Sequence, residues 1–439
     1  MSLDHRGGHS CRRRSRCGHL TSSAHIAVWC IAALAVLGVI TRPRNLPEAL
    51  WAVLAALALM LFGLISVADV GKAVLRGVDV YLFLIGMMVL AELARHQGLF
   101  DWLAAFAVRQ SKGSPRRLFG LVYLVGMIVT IFLSNDATAV VLTPAVYAAT
   151  QRAKANPLPF LFICAFISNA ASFVLPISNP ANLVVYGAHL PSLWIWLAEF
   201  GLASMLSILV TFIVLRWTQR ADLKGEIAHD IELPALSRGG RVAAGGIALT
   251  AIVLLVASSL DRPLGLPTFF AGCATAAVIL ILNRLSPWVI GKHISWSVLA
   301  LVAGLFVLVE AVEETGLLRP LVAFLPSSAA SAPNATGFIA GSLVAVLCNV
   351  VNNLPLGLIA GTVATGAHLS PHVTGALLIG VDLGPNLSVT GSLATILWLV
   401  ALRREGQAVS AWKFLGLGCL IMPPALLASL VTFVWFKMT

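Results

Sequence analysis

Charge is what this sequence has least of. Only 11% of its 439 residues are Asp, Glu, Lys or Arg, where a soluble chain carries about 25%. There is no GxxxxGK[ST] phosphate loop and no polar domain large enough for an ATPase. Energy coupling within the chain must then come from an ion gradient. There is no HExxH and no histidine cluster, since His189, His293 and His372 stand apart at loop edges. The seven cysteines, at 11, 17, 30, 164, 273, 348 and 419, have no metal-ligand spacing, and their odd number argues against a disulfide framework. No nucleophile–base pair is evident. Metal centre, cofactor and enzyme readings therefore lack residues to carry them.

What the sequence has in abundance is apolar length. Hydrophobic residues make up 59% of it, in bilayer-length runs that recur along the whole chain and so read as spans. They fall near 24–40, 47–66, 78–94, 116–133, 137–150, 158–190, 192–216, 242–260, 263–283, 296–312, 335–351, 356–368, 372–402 and 411–436. Two further stretches, 98–110 and 316–326, are too short to cross; in the first, Phe100, Trp102, Leu103 and Phe106 against Asp101, Arg109 and Gln110 suit a helix lying in the interface. Trp194, Trp196, Trp217, Trp288, Trp296 and Trp412 at span ends read as interface anchors. The only long polar segment, 217–241, divides the chain near its middle.

The two halves match. VYLFLIGMMVLAELARHQGL at 80–99 aligns with VLALVAGLFVLVEAVEETGL at 298–317, placing Gly86 on Gly304, Glu92 on Glu310 and Gly98 on Gly316. The same spacing puts Asn135 on Asn353. A spacing five residues shorter puts Ser178-Asn179-Pro180-Ala181-Asn182 on Gly391-Ser392-Leu393-Ala394-Thr395. Matched halves with an odd number of crossings each must be inverted. The expected fold is an all-α polytopic membrane protein of two inverted repeats, with re-entrant hairpins and broken transmembrane helices. The expected units are a basic tail at 1–23, repeat one at 24–216 with a hairpin at 116–150, a cytoplasmic linker at 217–241, and repeat two at 242–436 with a hairpin at 335–368.

The net charge of +11 would suggest nucleic acid in a soluble protein. Here the loops 41–46, 95–117, 151–156, 216–241, 284–295 and 403–413 share a side and hold 19 of the 29 basic residues; the opposite loops hold five, Lys72, Arg76, Arg262, Arg319 and Lys437. Basic loops stay cytoplasmic. The remaining five lie in the tail, which this topology leaves outside, against the same rule. The tail resembles a signal n-region, but no small-residue cleavage site follows 26–40, which reads as a first span.

Four polar breaks carry the chemistry. Ser134-Asn135-Asp136-Ala137-Thr138 interrupts two apolar helices, and Asn349 with Asn352-Asn353-Leu354-Pro355 occupies the matching place in repeat two. Ser168-Asn169-Ala170-Ala171-Ser172 through Asn182, and Asp382-Leu383-Gly384-Pro385-Asn386 through Thr395, break two long apolar runs. Such unwound backbone lines a cavity or is buried in protein. Intramembrane acids are costly and mark function by default, so Asp136 and Asp382 are the proton-coupling candidates. The plainer role for Asp136 is the N-cap of helix 137–150, with Pro144 a tolerated kink. Substrate-binding candidates are Asn135, Thr138, Asn179, Asn182, Asn352, Asn353, Gly384, Asn386, Thr390, Ser392 and Thr395. Glu92 and Glu310 sit near span ends, as interfacial helix caps do.

SNDATAVVLTPAV at 134–146, NNLP at 352–355 and GVDLGPNLSVTGSLATILWL at 380–399 resemble signature stretches of arsenite efflux permeases, the membrane subunits of bacterial arsenical pumps. These belong to the ion transporter superfamily, with the dicarboxylate and citrate carriers, and the resemblance runs over nearly all of 26–436. It implies export of arsenite, and usually antimonite, across the bacterial inner membrane in exchange for protons. It also implies a homodimer with a scaffold part and a moving part, working alone or with a cytosolic arsenite-stimulated ATPase. The family pattern often has a Lys where this chain has Asn386 and an acid where it has Asn169, so a lost ion pair is expected. Within the same superfamily, a sodium- or proton-coupled organic anion carrier is the rival reading.

The topology gives a first test. Single cysteines placed in 110–117 or 217–241 are expected to resist membrane-impermeant maleimide applied from outside, and one at residue 262 to react. Outside labelling of the linker would overturn the assignment.

Overall fold

The computed structural model describes residues 22–41, 43–187, 190–228, 233 and 235–436. Most of the basic tail, with Cys11 and Cys17, and also His189 and Lys437, lie outside the described residues.

Repeat one begins with α1 (Ser22–Thr41) and α2 (Glu48–Leu61). The run expected as one span at 47–66 is shorter. Gly63 turns the chain at φ +65°, and Ser66 caps a new helix, α3 (Val67–Arg76), by accepting from the Asp69 N–H at 3.1 Å. Helix α3 carries Asp69, Lys72 and Arg76 and meets α4 (Val78–His96) at a 48° bend. Next comes α5 (Leu99–Gln110), the expected short amphipathic helix. The hairpin follows: α6 (Pro115–Phe132), then α7 (Asn135–Ala137), a π turn at Thr138–Leu142, and α8 (Thr143–Arg152). Proline has no N–H for the preceding turn; ahead of Pro144 the helix widens, and the Thr143 hydroxyl donates to the Ala139 carbonyl at 2.7 Å. The broken span is α9 (Leu158–Ala170), a 3-10 turn at Pro176–Ser178, and α10 (Pro180–Tyr186); α11 (Leu193–Thr218) closes the repeat.

Repeat two runs through the same order. It comprises α12 (Arg238–Ser259), α13 (Gly265–Asn283), the short α14 (Trp288–Gly291), α15 (Trp296–Glu314) and α16 (Arg319–Ser331). Its hairpin is α17 (Pro333–Val351) with α18 (Asn353–Gly366). Its broken span is α19 (Pro371–Leu383), 3-10 turns at Gly384–Asn386 and Val389–Gly391, and α20 (Leu393–Arg404), followed by α21 (Ala411–Trp435). Among the described residues eight helices are long and apolar enough to cross a membrane, nine if α3 and α4 count as one bent span, and there is no strand. The protein is a multi-pass, all-α membrane protein.

Packing exchanges the repeats. Helix α4 packs on α13 and α15 on α2, while α11 packs on α21, its own counterpart. This is the pattern a pseudo-two-fold axis produces. Each hairpin arm lies on the broken span of its own repeat, α6 on α9 and α17 on α19. The second contact is backbone to backbone. A Cβ at Gly341 would lie 2.5 Å from the Ala376 oxygen, one at Gly380 2.2 Å from the Gly341 oxygen, and one at Gly384 2.3 Å from the Ala345 oxygen.

The loops 95–117 and 151–156, the 217–241 segment and the end of α13 meet on one face. Ile227 and Ala228 of the 217–241 segment donate their N–H groups to Gly113 and Ala153 at 3.0 and 2.9 Å. The Asn156 amide donates to Asp222, and Ser237 and Asn283 donate to Gln97. At the opposite face Asp79 accepts from the Gly265 N–H at 2.8 Å, and Arg76 grips Glu310 through two nitrogens at 2.7 and 3.0 Å.

The glycine contacts predict a selective penalty. Overpacking typically costs about 1–3 kcal/mol, so Gly380→Ala is expected to lower the melting temperature in detergent. Gly120→Ala, where an added Cβ meets nothing within 4 Å, should leave it unchanged. Equal behaviour of the two would overturn the tight α17–α19 contact.

Candidate transport site

Both broken spans end their first half on a buried polar residue and start their second half on a polar cap. In repeat one the ends are Asn169 and Asn179; in repeat two they are Asp382 and Ser392. All four are buried. The caps act in the ordinary way: Asn179 Oδ1 accepts from the Ala181 N–H at 3.0 Å and Ser392 Oγ from the Thr395 N–H at 3.1 Å.

The repeats are stitched together at these ends. Asn179 Nδ2 donates to Asp382 Oδ1 at 2.7 Å, while Asp382 Oδ2 is buried with the Ser172 hydroxyl beside the carboxyl. Asn169 Nδ2 donates to Asn386 Oδ1 at 3.0 Å and to Thr395 Oγ1 at 3.4 Å, and Asn169 Oδ1 accepts from Ser392 Oγ at 3.4 Å. Asn386 Nδ2 donates in turn to the Phe166 carbonyl at 3.1 Å. The two positions where a lost ion pair was expected are thus in direct contact, as an amide pair.

Several expected substrate ligands are spent on the backbone. Asn182 Nδ2 donates to the carbonyls of Ser172, Leu175 and Pro176 at 2.9, 3.2 and 3.3 Å, which covers the unwound stretch. Thr138 Oγ1 lies 2.8 Å from Thr130 Oγ1 inside the hairpin. Asn352, at φ +78°, donates to the Thr390 carbonyl at 3.2 Å. Thr390 Oγ1 donates to the Asn349 carbonyl at 2.8 Å. Gly384 gives close approach to α17, and its carbonyl accepts from Asn349 Nδ2 at 3.0 Å. Asn353 is buried and keeps an unpartnered Oδ1.

Asp136 does not cap its helix. Ser134 does so, its hydroxyl accepting from the Ala137 N–H at 3.2 Å, and Asn135 Oδ1 accepts from the Asp136 N–H at 2.9 Å. This leaves the half-buried Asp136 carboxylate outside the capping bonds. The hairpin tip packs against α9 and α20, and Ser178 Oγ ties the 3-10 turn to the Ile131 carbonyl at 3.0 Å. Glu92 and Glu310 are not helix caps. Glu310 pairs with Arg76; Glu92 pairs with Arg95 at 2.5 Å and lies 3.6 Å from His293.

Residues outside the expected substrate and proton set prove central. Asn169 holds three partners at the crossing. Asn349 holds the Ala345 and Gly384 carbonyls and accepts from Ser388 Oγ at 2.7 Å. The repeat alignment could have found Asn169, because the spacing that pairs 179 with 392 pairs 169 with 382. Ser388 had no sequence signal.

A separate cavity of about 660 Å³ opens toward the face that bears Arg76 and Arg262. On one side it is lined by Leu183 to Gly187 of the α10 end and by Leu358, Gly361 and Thr362 of α18; on the other by Asp79, Phe306 and Glu310. None of the polar residues at the four breaks lines it.

Inverted repeats, two hairpins and paired broken helices meeting in a buried polar crossing define a membrane-transporter architecture. The chain belongs to the citrate transporter family, whose sequence model matches residues 33–381. It is 28% identical over 418 residues to a protein of Escherichia coli named "Arsenical pump membrane protein", covering 91% of this chain and 96% of that one. A protein of the same name from Escherichia coli strain K12 is 25% identical over 419 residues, with the same coverage. An "Uncharacterized transporter" of Mycobacterium tuberculosis is 25% identical over 381 residues, 82% of this chain and 86% of that one. The crystal structure of the Alcanivorax borkumensis YdaH transporter shares the fold, with a TM-score of 0.55 at 16% identity over 83% of this chain and 86% of that one.

The Asn182 geometry predicts a structural phenotype. A buried carbonyl left without a donor costs about 1–3 kcal/mol. Asn182→Ala exposes three carbonyls to that penalty and is expected to lower the melting temperature in detergent, whereas Asn353→Ala is expected to leave it nearly unchanged. The reverse order would overturn this division of roles.

Proposed function

We propose that this protein exports arsenite, and antimonite with it, from the bacterial cytoplasm across the inner membrane in exchange for protons. The observation that carries the reading is the chemistry of the four breaks. They present Asn, Ser, Thr, backbone groups and two carboxyls, with no Lys, Arg or His at 134–138, 168–182, 349–355 or 382–395. Arsenite near neutral pH is an uncharged trihydroxide, which amides and hydroxyls bind by donating and accepting hydrogen bonds. Relatives named as arsenical pump membrane proteins, matched over 91% of this chain, support the same substrate.

The family's own name favours a second reading, an organic anion carrier of the citrate type. A multiply charged carboxylate would need cationic partners inside the membrane, and the breaks offer carboxyls instead. In the preferred reading Asp382 at the crossing and Asp136 at the hairpin tip hold the counter-moving protons. Desolvation disfavours a charged carboxylate, so each acid crosses most readily in its protonated form. A cytosolic ATPase would find the 217–241 linker on the face where it meets the loops 95–117 and 151–156, and a homodimer is part of the same proposal.

The test is uptake into inverted vesicles under an imposed pH gradient, with arsenite beside citrate and a dicarboxylate. Arsenite accumulation that needs the gradient is expected. Asp136→Asn and Asp382→Asn are expected to abolish that accumulation and to spare arsenite binding in detergent. Accumulation of citrate in place of arsenite would establish the second reading. Full gradient-driven uptake by both variants and by the double variant would make the acids structural.

A further inference from the structure

Two of the hydrogen bonds that stitch the repeats together are copies of each other. The spacing that pairs Asn179 with Ser392 and Asn182 with Thr395 also pairs Asn169 with Asp382. Asn179 donates to Asp382, and Ser392 donates to Asn169. In each bond the residue near the end of one repeat's first half-helix meets the cap residue of the other repeat's second half-helix. Asn169 and Asp382 are both 0% exposed. One seat of this symmetric pair holds a carboxyl and the other an amide.

The neighbours of residue 169 can serve a carboxyl. Ser392 Oγ already donates to it, and Thr395 Oγ1 is 3.4 Å away. Each hydroxyl has one rotatable hydrogen and can turn it toward a carboxylate oxygen. Asn386 Oδ1 is in contact at 3.0 Å and can accept from a protonated carboxyl at 169, while its Nδ2 stays on the Phe166 carbonyl. Among other titratable groups, Asp136 belongs to the hairpin tip packed on α9. Near the second seat the Cys348 thiol lies against the Gly380 and Val381 carbonyls.

We propose that positions 169 and 382 are two equivalent seats for a proton-carrying carboxyl, that this chain fills one of them, and that the residue at 169 sets how many protons accompany each substrate. The inference rests on the proton-coupled reading above. It makes Asn169 a stoichiometry-determining residue: an acid there adds a proton carrier, and an acid moved there from 382 replaces one.

The experiment compares Asp382→Asn, Asn169→Asp and the double variant Asn169→Asp/Asp382→Asn, each shown to be monodisperse in detergent. In inverted vesicles Asp382→Asn is expected to lose gradient-driven arsenite uptake and the double variant to regain it. Asn169→Asp alone is expected to steepen the dependence of steady-state arsenite accumulation on the imposed pH gradient. A second readout is independent of substrate. A lipid-soluble carbodiimide modifies protonated carboxyls, and peptide mass spectrometry is expected to place the adduct at Asp382 in the unaltered protein and at position 169 in the double variant. Should the unaltered protein move no arsenite, the proposed function fails, and the carbodiimide map alone decides the seats. A monodisperse double variant without the adduct overturns the proposal. So does one without recovered uptake when the unaltered protein transports, or an unchanged slope in Asn169→Asp.

Discussion

Inside a hydrocarbon slab an unpaired amide or carbonyl costs several kcal/mol, so a helix that breaks there must find other partners for its freed groups. Every distinctive feature of this structure answers that requirement. The unwound stretch after α9 leaves the Ser172, Leu175 and Pro176 carbonyls open, and one side chain, Asn182, reaches all three. The stretch after α19 leaves Gly384 and Thr390 open, and Asn349 and Asn352 of the neighbouring hairpin reach those. Polar residues in the breaks therefore divide into two groups. One completes the backbone; the other, centred on Asn169, Asn179, Asp382 and Asn386, joins the repeats by bonds between side chains, with Asn386 also donating to the Phe166 carbonyl.

That division limits what can move. The α17–α19 contact has no room for a Cβ at Gly341 or Gly380; Trp398 Nε1 of α20 donates to the Leu161 carbonyl of α9 at 2.9 Å, tying one broken span to the other, and Trp196 Nε1 of α11 donates to the Phe173 carbonyl at 3.1 Å. Hairpins and broken helices are coupled at backbone level. The crevice between α10, α18 and the α4–α15 side is where packing is loose. The Arg76–Glu310 pair spans its wall.

Much of this was legible in the sequence, for physical reasons. Apolar runs must match bilayer thickness, and Gly, Pro and Asn inside them have few uses besides a break, so the spans, the hairpins and the four polar segments could be read directly. The repeat was visible because both halves solve the same packing problem. Span 47–66 is too long as read from hydropathy because Phe62, Leu64 and Ile65 are apolar although Gly63 turns the chain, and α3, with Asp69, Lys72 and Arg76, has the composition of a loop. Asp136 was a reasonable cap by residue type, but Ser134 stands at the correct distance from the Ala137 N–H. The sequence could not say which polar groups serve the backbone and which face one another. Thr138 and Asn182 have the composition of ligands, and only geometry shows their hydrogen bonds already used.

The middle segment has a further consequence. By pairing Ile227 and Ala228 with Gly113 and Ala153, it straps across both ends of the first hairpin, with Leu223 and Ile227 buried beneath it. A strap of that kind has a working length. It can be neither shortened without tugging the hairpin mouth nor spliced with extra residues without slackening it. The segment that joins the two repeats in the chain is therefore also a structural part of the first, holding together the two ends of its hairpin.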